Sequence, residues 1–433
     1  MAAAWGERTD PASLLLIQSG GLGDLVLTAN FLAAVRGQRP QTRVTVACRP
    51  DFRSLWEVAP APPDEIIDIP INPYLYDSPG LELIETLESW IGGIRSCRPD
   101  VMVTAEWLPT WFTWLAAAAA EPLSLVAAPP RPAPRGLLRC LLAHFGWKPV
   151  AFDGPETSRD LSETNRYDRI LSHLGLEPRA SSRWNVSHTL KEQAAQWLAA
   201  NDLEPGNYLV CAPGATPSVP EKRWPLERFA EVVIRLTAEF HLRVLVAGES
   251  AEREQLRELA WRAGTSDRTA VLAGEPDQIP LLAGLLSHAR AYLANDSGVS
   301  HIAQAIGLPG VIVFGGGGWP AYQPWGAGST GVVYPLPCFG CLWDCLFGHG
   351  VCTELVPVAP VLDSARETLR QPAAAPRMVL LDGVTPAELG RIGDASRRYR
   401  EAQHDRRDRL STIIELDWAS RPLPRGTDAA APG

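Results

Sequence analysis

Lysine is scarce in this chain: only Lys148, Lys191 and Lys222 stand among its 40 basic residues. A basic excess is missing as well, the formal net charge being −9. That excludes nucleic acid as the main ligand, because such binding shows as a clustered basic face. Any anionic ligand must be held by a few local groups, and each lysine is a candidate. Long hydrophobic runs are also missing. The stretch Trp107 to Ala120 lies between Glu106 and Glu121, is interrupted by Pro109, and falls short of the ~20 residues a membrane helix needs. The uncharged run Ser297 to Trp343 is broken repeatedly by glycine and proline. No transmembrane segment is expected. The first residues carry Glu7, Arg8 and Asp10 and lead into a short apolar run, Leu14 to Ile17, which is not a secretory signal. The expected location is the cytoplasm, where eight cysteines do not imply a disulfide framework.

What is present is an alternation of short apolar runs and amphipathic stretches, long enough at 433 residues for two domains with separate cores. Ser13 to Gln18 stops at Gly20-Gly21, and Val26, Leu27, Phe31, Leu32 and Val35 follow at helical spacing. That is a strand, a glycine turn and a helix. Further runs stand at Val44 to Ala47, Ile66 to Ile69, Val101 to Thr104 and Leu123 to Val126, with a helical stretch from Leu81 to Arg95. After a proline-rich loop opening at Pro129 a second series begins. It comprises strand Tyr208 to Cys211, helix Leu226 to Glu239, strand Arg243 to Val246, helix Ala251 to Ala263, strand Ala291 to Ala294, a short helix from Gly298, and strand Val311 to Phe314. The pattern predicts an α/β chain of two Rossmann-like, doubly wound domains, 1–187 and 188–370, facing across a cleft. The extension 371–433 is rich in Ala, Pro and Arg; Arg397 to Asp417 has helical character within it, and its packing back on the first domain stays open. In open parallel sheets ligands bind beyond the carboxyl ends of strands, so functional motifs belong just after strands.

Three motifs satisfy that condition. Ser19-Gly-Gly-Leu-Gly-Asp24 follows the first strand, and Gly21 and Gly23 let the backbone approach a ligand at a helix start. A dinucleotide fingerprint is not met, since Val26 replaces the third glycine and no carboxylate follows the second strand. A simple helix cap by Asp24 is the alternative. Pro213-Gly-Ala-Thr216 and Glu221-Lys-Arg-Trp-Pro225 follow strand Tyr208 to Cys211, putting Lys222 and Arg223 before a helix N-terminus, where charge and dipole act together on a phosphate. A solvated surface pair is the competing reading. Asn295-Asp-Ser-Gly-Val-Ser-His301 follows another strand; the N–H groups of Ser297 and Gly298 can cradle a diphosphate while Asp296 or Ser297 caps the helix. His301 either faces the cleft or is satisfied by neighbouring polar groups. Glu249, at a strand end, suits a ribose diol, an ordinary loop glutamate being the alternative.

Taken in order, Gly20-Gly-Leu-Gly-Asp24, Lys222-x-Trp-Pro225 and Asn295-Asp-Ser-Gly-x-x-His301 resemble glycosyltransferase family 9, the ADP-heptose heptosyltransferases, over roughly residues 13 to 360. The resemblance implies a GT-B fold, with 1–187 binding the acceptor and 188–370 the nucleotide sugar. It implies an inverting transferase that moves a heptose or related sugar from ADP-heptose, as in lipopolysaccharide biosynthesis, with no catalytic metal. By the same resemblance Asp24 is the general base and Lys222 contacts the donor phosphates. Asp296, Ser297 and Gly298 hold the diphosphate, His301 takes the family's histidine position, and Glu249 lies near its ribose-binding glutamate. The acceptor stays open between a glycan, a lipid-linked molecule, a protein and a small molecule; a lipid-linked one implies peripheral membrane contact.

Some features depart from the family or are not fixed by it. Gly315-Gly-Gly-Gly318 stands where many relatives carry a Gly-Pro-Thr type loop. The stretches Trp107 to Trp114 and Tyr74 to Gly80 are expected to face the acceptor. Cys338, Cys341, Cys345 and Cys352 share one window and leave a structural zinc or iron site open. Other activities on this architecture are a nucleotide-sugar 2-epimerase and a non-catalytic nucleotide-sugar binder.

Overall fold

The computed structural model describes residues 13–71, 82–104, 111–120, 124–126, 162–178, 183–215, 219–264, 269–343, 345, 347–381 and 391. In the first lobe β1 (Ser13–Gln18), β2 (Arg43–Cys48), β3 (Glu65–Asp68), β4 (Val101–Thr104) and β5 (Ser124–Val126) form one parallel sheet in the order β3-β2-β1-β4-β5. The second lobe repeats the plan. Its strands are β6 (Tyr208–Ala212), β7 (Arg243–Glu249), β8 (Thr269–Gly274), β9 (Ala291–Asn295), β10 (Gly310–Val313), β11 (Ser329–Val333) and β12 (Arg377–Leu380), all parallel, in the order β12-β11-β10-β9-β6-β7-β8. Each sheet thus reverses direction once, between β1 and β4 in one lobe and between β6 and β9 in the other. Those reversal points are where ligands bind in open α/β sheets.

Strand periodicity sorts side chains onto two faces. Leu14 and Leu16 of β1 join a core shared by both lobes, whereas Leu15 and Ile17 face helices Glu82–Cys97 and Trp111–Ala120 on the far side. Tyr208 and Val210 of β6 reach the same shared core, and Leu209 and Cys211 face outward under helix Leu226–Phe240. Helices Leu22–Gln38, His188–Ala200, Ile279–His288 and Gly298–Ala305 contribute to this shared core. The lobes are also joined at their rims, where Ser54 Oγ donates to Pro276 O at 2.5 Å.

Two stretches depart from expectation. The aromatic stretch Trp107 to Trp114 was expected at the acceptor, but Phe112 and Thr113 are fully buried and Phe112 packs on Trp90 at 4.1 Å between ring centroids; residues 107–110 lie outside the described residues. The extension after Gln371 opens with β12, a strand of the second sheet paired with β11. The stretch 397–417, expected to be helical, and the loop 74–80 lie outside the described residues. Among the described residues no helix is long and apolar enough to cross a membrane.

Candidate active site

A cavity of about 810 Å³ opens between the carboxyl ends of the two sheets. Helix Leu22–Gln38, following β1, and helix Gly298–Ala305, following β9, meet there by their first turns. A Cβ added to Gly23 would lie 2.7 Å from the His301 ring, and one on Gly298 would lie 2.7 Å from Leu22. The close approach therefore requires both glycines. Two positive helix ends converge on the cavity, and each has a carboxylate beside it. Asp24, at the third helical position, accepts the Gly21 N–H on Oδ2 at 2.8 Å. This is half of a capping box. Its other oxygen, Oδ1, accepts from the Tyr322 hydroxyl at 2.5 Å, a bond across the cleft. Asp24 is therefore both cap and cleft residue, and the two readings do not compete.

Asp296 is the carboxylate of the other helix. Its Oδ2 receives Lys222 Nζ at 2.8 Å and its Oδ1 lies 3.3 Å from His301 Nε2. Burial acts most strongly on it and would raise its pKa, but the Lys222 charge and the His301 hydrogen bond together outweigh burial and hold it at about 2. His301 Nδ1 accepts from the Trp325 indole N–H at 3.1 Å. Indole N–H only donates, so Nδ1 carries no proton and Nε2–H is the group that faces Asp296. The His301 ring, 3% exposed, is a brace for Asp296.

Lys222 is placed by its motif. Trp224 is buried; its backbone N–H donates to Asn295 Oδ1 at 3.1 Å and its indole N–H to Val356 O at 2.8 Å. Asn295 in turn donates to Pro213 O at 2.6 Å, fastening the loop after β6 to the loop after β9. The ammonium sits 5.5 Å from the Tyr322 ring centre and 5.3 Å from that of Trp343. Arg223 turns away to Ala215 O, at 3.1 Å, and lies 3.6 Å from Glu252. Ser297 precedes helix Gly298–Ala305 with its backbone N–H on Ser300 Oγ, and its own buried Oγ has no hydrogen-bond partner among the described residues. That hydroxyl, on a residue lining the cavity, is available to a ligand atom or to water.

The cleft brings together Gly21, Gly23, Asp24, Lys222, Glu249, Asp296, Ser297, Gly298 and His301. Thr216 lies outside the described residues. Loss of solvent, and next the nearby Glu252 carboxylate, raise the pKa of Glu249. Cleft residues that sequence reasoning missed include Tyr322, Trp343 and Glu252. Glu252 accepts the N–H groups of Ala215 and Glu249, both at 3.2 Å, and so ties the ends of β6 and β7 together. Its signal was available, since a glutamate three residues after Glu249, at a helix start, is a capping pattern.

Among the described residues no three His, Cys, Asp or Glu side chains are grouped to hold an ion. Cys352 Sγ accepts the Gly316 N–H at 3.3 Å, and Cys345 Sγ donates to His349 O at 2.8 Å.

Residues 165–344 match the family model described as glycosyltransferase family 9 (heptosyltransferase). No curated protein matches the chain. Among solved structures, a glycosyltransferase family 9 protein from Veillonella parvula is 19% identical with a TM-score of 0.65, covering 84% of this chain and 99% of its own. The E. coli ADP-heptose lipopolysaccharide heptosyltransferase II is 19% identical with a TM-score of 0.58, covering 83% and 99%. E. coli heptosyltransferase WaaC with ADP-2-deoxy-2-fluoro heptose is 17% identical with a TM-score of 0.54, covering 81% and 98%. At these identities the similarity establishes a GT-B type fold.

Proposed function

We propose that this chain, whose residues 165–344 match the glycosyltransferase family 9 model, transfers a heptose or closely related sugar from ADP-heptose to an acceptor hydroxyl with inversion, Asp24 serving as general base. The observation that carries this reading is the placement of Asp24 on one lobe and of Lys222, Asp296 and Ser297 on the other, joined through Tyr322 in one cavity. Asp24 takes the proton as the acceptor oxygen attacks the anomeric carbon from the side opposite the diphosphate. Negative charge grows on the departing diphosphate, and Lys222, the Ser297 hydroxyl and the N-terminus of helix Gly298–Ala305 stabilise it most in the transition state. Asp296 and His301 hold Lys222 in place. The acceptor is a glycan, lipid-linked molecule, protein or small molecule.

The test has two arms. ADP is expected to raise the melting temperature of the protein more than UDP or GDP does, since a ligand of the folded state stabilises it by an amount that grows with the logarithm of its affinity. Asp24→Asn is expected to retain ADP binding and lose turnover by roughly 10²–10⁴-fold, the usual contribution of a general base. A preference for UDP, or an Asp24→Asn variant with full activity, sinks the reading. Conversion of the sugar nucleotide without any acceptor would mark an epimerase instead.

A further inference from the structure

The glycines Gly315 to Gly318 and the pair Leu342-Trp343 belong to one construction. Leu342 and Trp343 both have left-handed backbone, with φ of 54° and 66°. That region is costly for residues with side chains and persists where the surroundings enforce it. Here the Leu342 N–H donates to Gly317 O at 3.0 Å and the Gly340 N–H to Gly316 O at 2.8 Å. Trp343 lies so close to this glycine strip that a Cβ on Gly317 would fall 2.3 Å from its indole, and one on Gly315 would fall 2.6 Å from it. The bare backbone is what admits the ring. Trp343 is half-buried and lines the cavity, next to Lys222.

We propose that the Trp343 indole is the platform on which the sugar of the donor rests, making Trp343 a specificity-determining residue. The inference rests on the reading of the cavity as a nucleotide-sugar site. In such a donor the sugar is bonded to the phosphate nearest the leaving bond, so the groups beside Lys222 are the ones it meets. The strip Gly315 to Gly318 offers no side chain to read sugar hydroxyls. Trp343 and Tyr322 flank the ammonium with aromatic surface. A sugar ring has a C–H face that packs against such a surface and removes it from water. Selection at this wall is by shape and apolar contact.

The experiment measures dissociation constants for ADP and for ADP-heptose by calorimetry, in the wild-type protein and in Trp343→Ala, Trp343→Phe and Gly317→Ala. Trp343→Ala is expected to weaken ADP-heptose by roughly tenfold, a typical aromatic contribution, while ADP binds as in the wild type. Trp343→Phe is expected to keep most of the ADP-heptose affinity. Gly317→Ala, which displaces the ring, is expected to behave as Trp343→Ala does, with unchanged ADP affinity reporting an intact second lobe. Equal losses for ADP and ADP-heptose assign the indole to the nucleotide and overturn the proposal, and so does unchanged ADP-heptose affinity in Trp343→Ala. Wild-type protein that binds neither probe refutes the nucleotide-sugar reading itself.

Discussion

Tyr322 donates its phenolic hydrogen to Oδ1 of Asp24 at 2.5 Å, joining residues 298 positions apart and, with them, the two lobes. The same ring stands 5.5 Å from Lys222 Nζ and meets the His301 ring edge-on at 6.2 Å. Tyr322 therefore sits where the proposed base and the proposed phosphate ligands come nearest to one another. Its loss leaves Asp24 held on one side only, by Gly21. Hydrogen bonds to charged groups contribute about 1.5–3 kcal/mol. Tyr322→Phe is accordingly expected to lower kcat by roughly tenfold or more while ADP affinity stays unchanged, as steady-state kinetics and calorimetry can separate. Equal kcat values for the two proteins would show that the phenol does not orient Asp24.

Asp296 gives a pH prediction. Lys222 and His301 hold its carboxyl at about 2, against burial, where a free aspartate has 3.8. The group therefore stabilises the fold fully above pH 4, and that contribution is lost as pH falls from about 4 to about 2. The depression corresponds to about 2 kcal/mol. Urea unfolding of the wild type and of Asp296→Asn should differ most at pH 5 to 7, and the two curves should converge toward pH 2. A gap that is independent of pH would mean that the charge on Asp296 is not what the Lys222 pairing uses.

Much of this site was legible in the sequence because it depends on local spacing after strands. Gly20 to Asp24, Lys222 to Pro225 and Asn295 to His301 each carry their geometry with them: a turn, a helix start, a side chain at a fixed offset. The parallel sheets were legible for the same reason where strands were apolar throughout, as in β1 and β6. Three strands of the second sheet, β8, β11 and β12, were not. β8 has half-exposed positions and small residues, and β11 opens with Ser329-Thr-Gly and follows a glycine-rich loop, so neither reads as a continuous apolar run. β12 is four half-exposed residues in an otherwise Pro- and Arg-rich segment, and it became a strand by pairing with β11. Tyr322 and Trp343 lie on irregular backbone, and their positions are set by contacts with Asp24 and with the glycine strip, which no local pattern encodes.

Gly23 tests how closely the lobes must meet. Its missing Cβ is the space filled by the His301 ring, and that ring is fixed from both sides by Asp296 and Trp325. Gly23→Ala must therefore push the first turns of the two helices apart, at a cost of about 1–3 kcal/mol for overpacking. The expected result is a lower melting temperature together with a loss of activity larger than the loss of ADP affinity. Gly21→Ala is the control: its Cβ would meet nothing nearer than Asp24 Oδ2 at 3.7 Å, so only the weaker helix capping of alanine is felt. If the two variants behave alike, contact between helix ends is not what sets the cleft.

Behind Tyr322 stands a buried ion pair. Arg166 Nη2 and Glu163 Oε2 are 2.5 Å apart and both residues are almost fully buried. The Glu163 N–H donates to Ala321 O at 2.8 Å, so the helix Glu163–His173, packed on helix Leu22–Gln38 of the first lobe, grips the segment that carries Tyr322. Burial raises the pKa of Glu163 even against the pull of Arg166. A pair of this kind adds little net stability, but removing one partner strands a charge, which costs about 3–5 kcal/mol. Arg166→Met alone is expected to destabilise the protein strongly. Glu163→Leu combined with Arg166→Met should restore most of that stability and yet leave activity reduced, if the ion pair orients the Tyr322 segment. Denaturant midpoints and kcat, measured on the two variants, separate these contributions. Full activity in the stable double variant would confine the pair to packing.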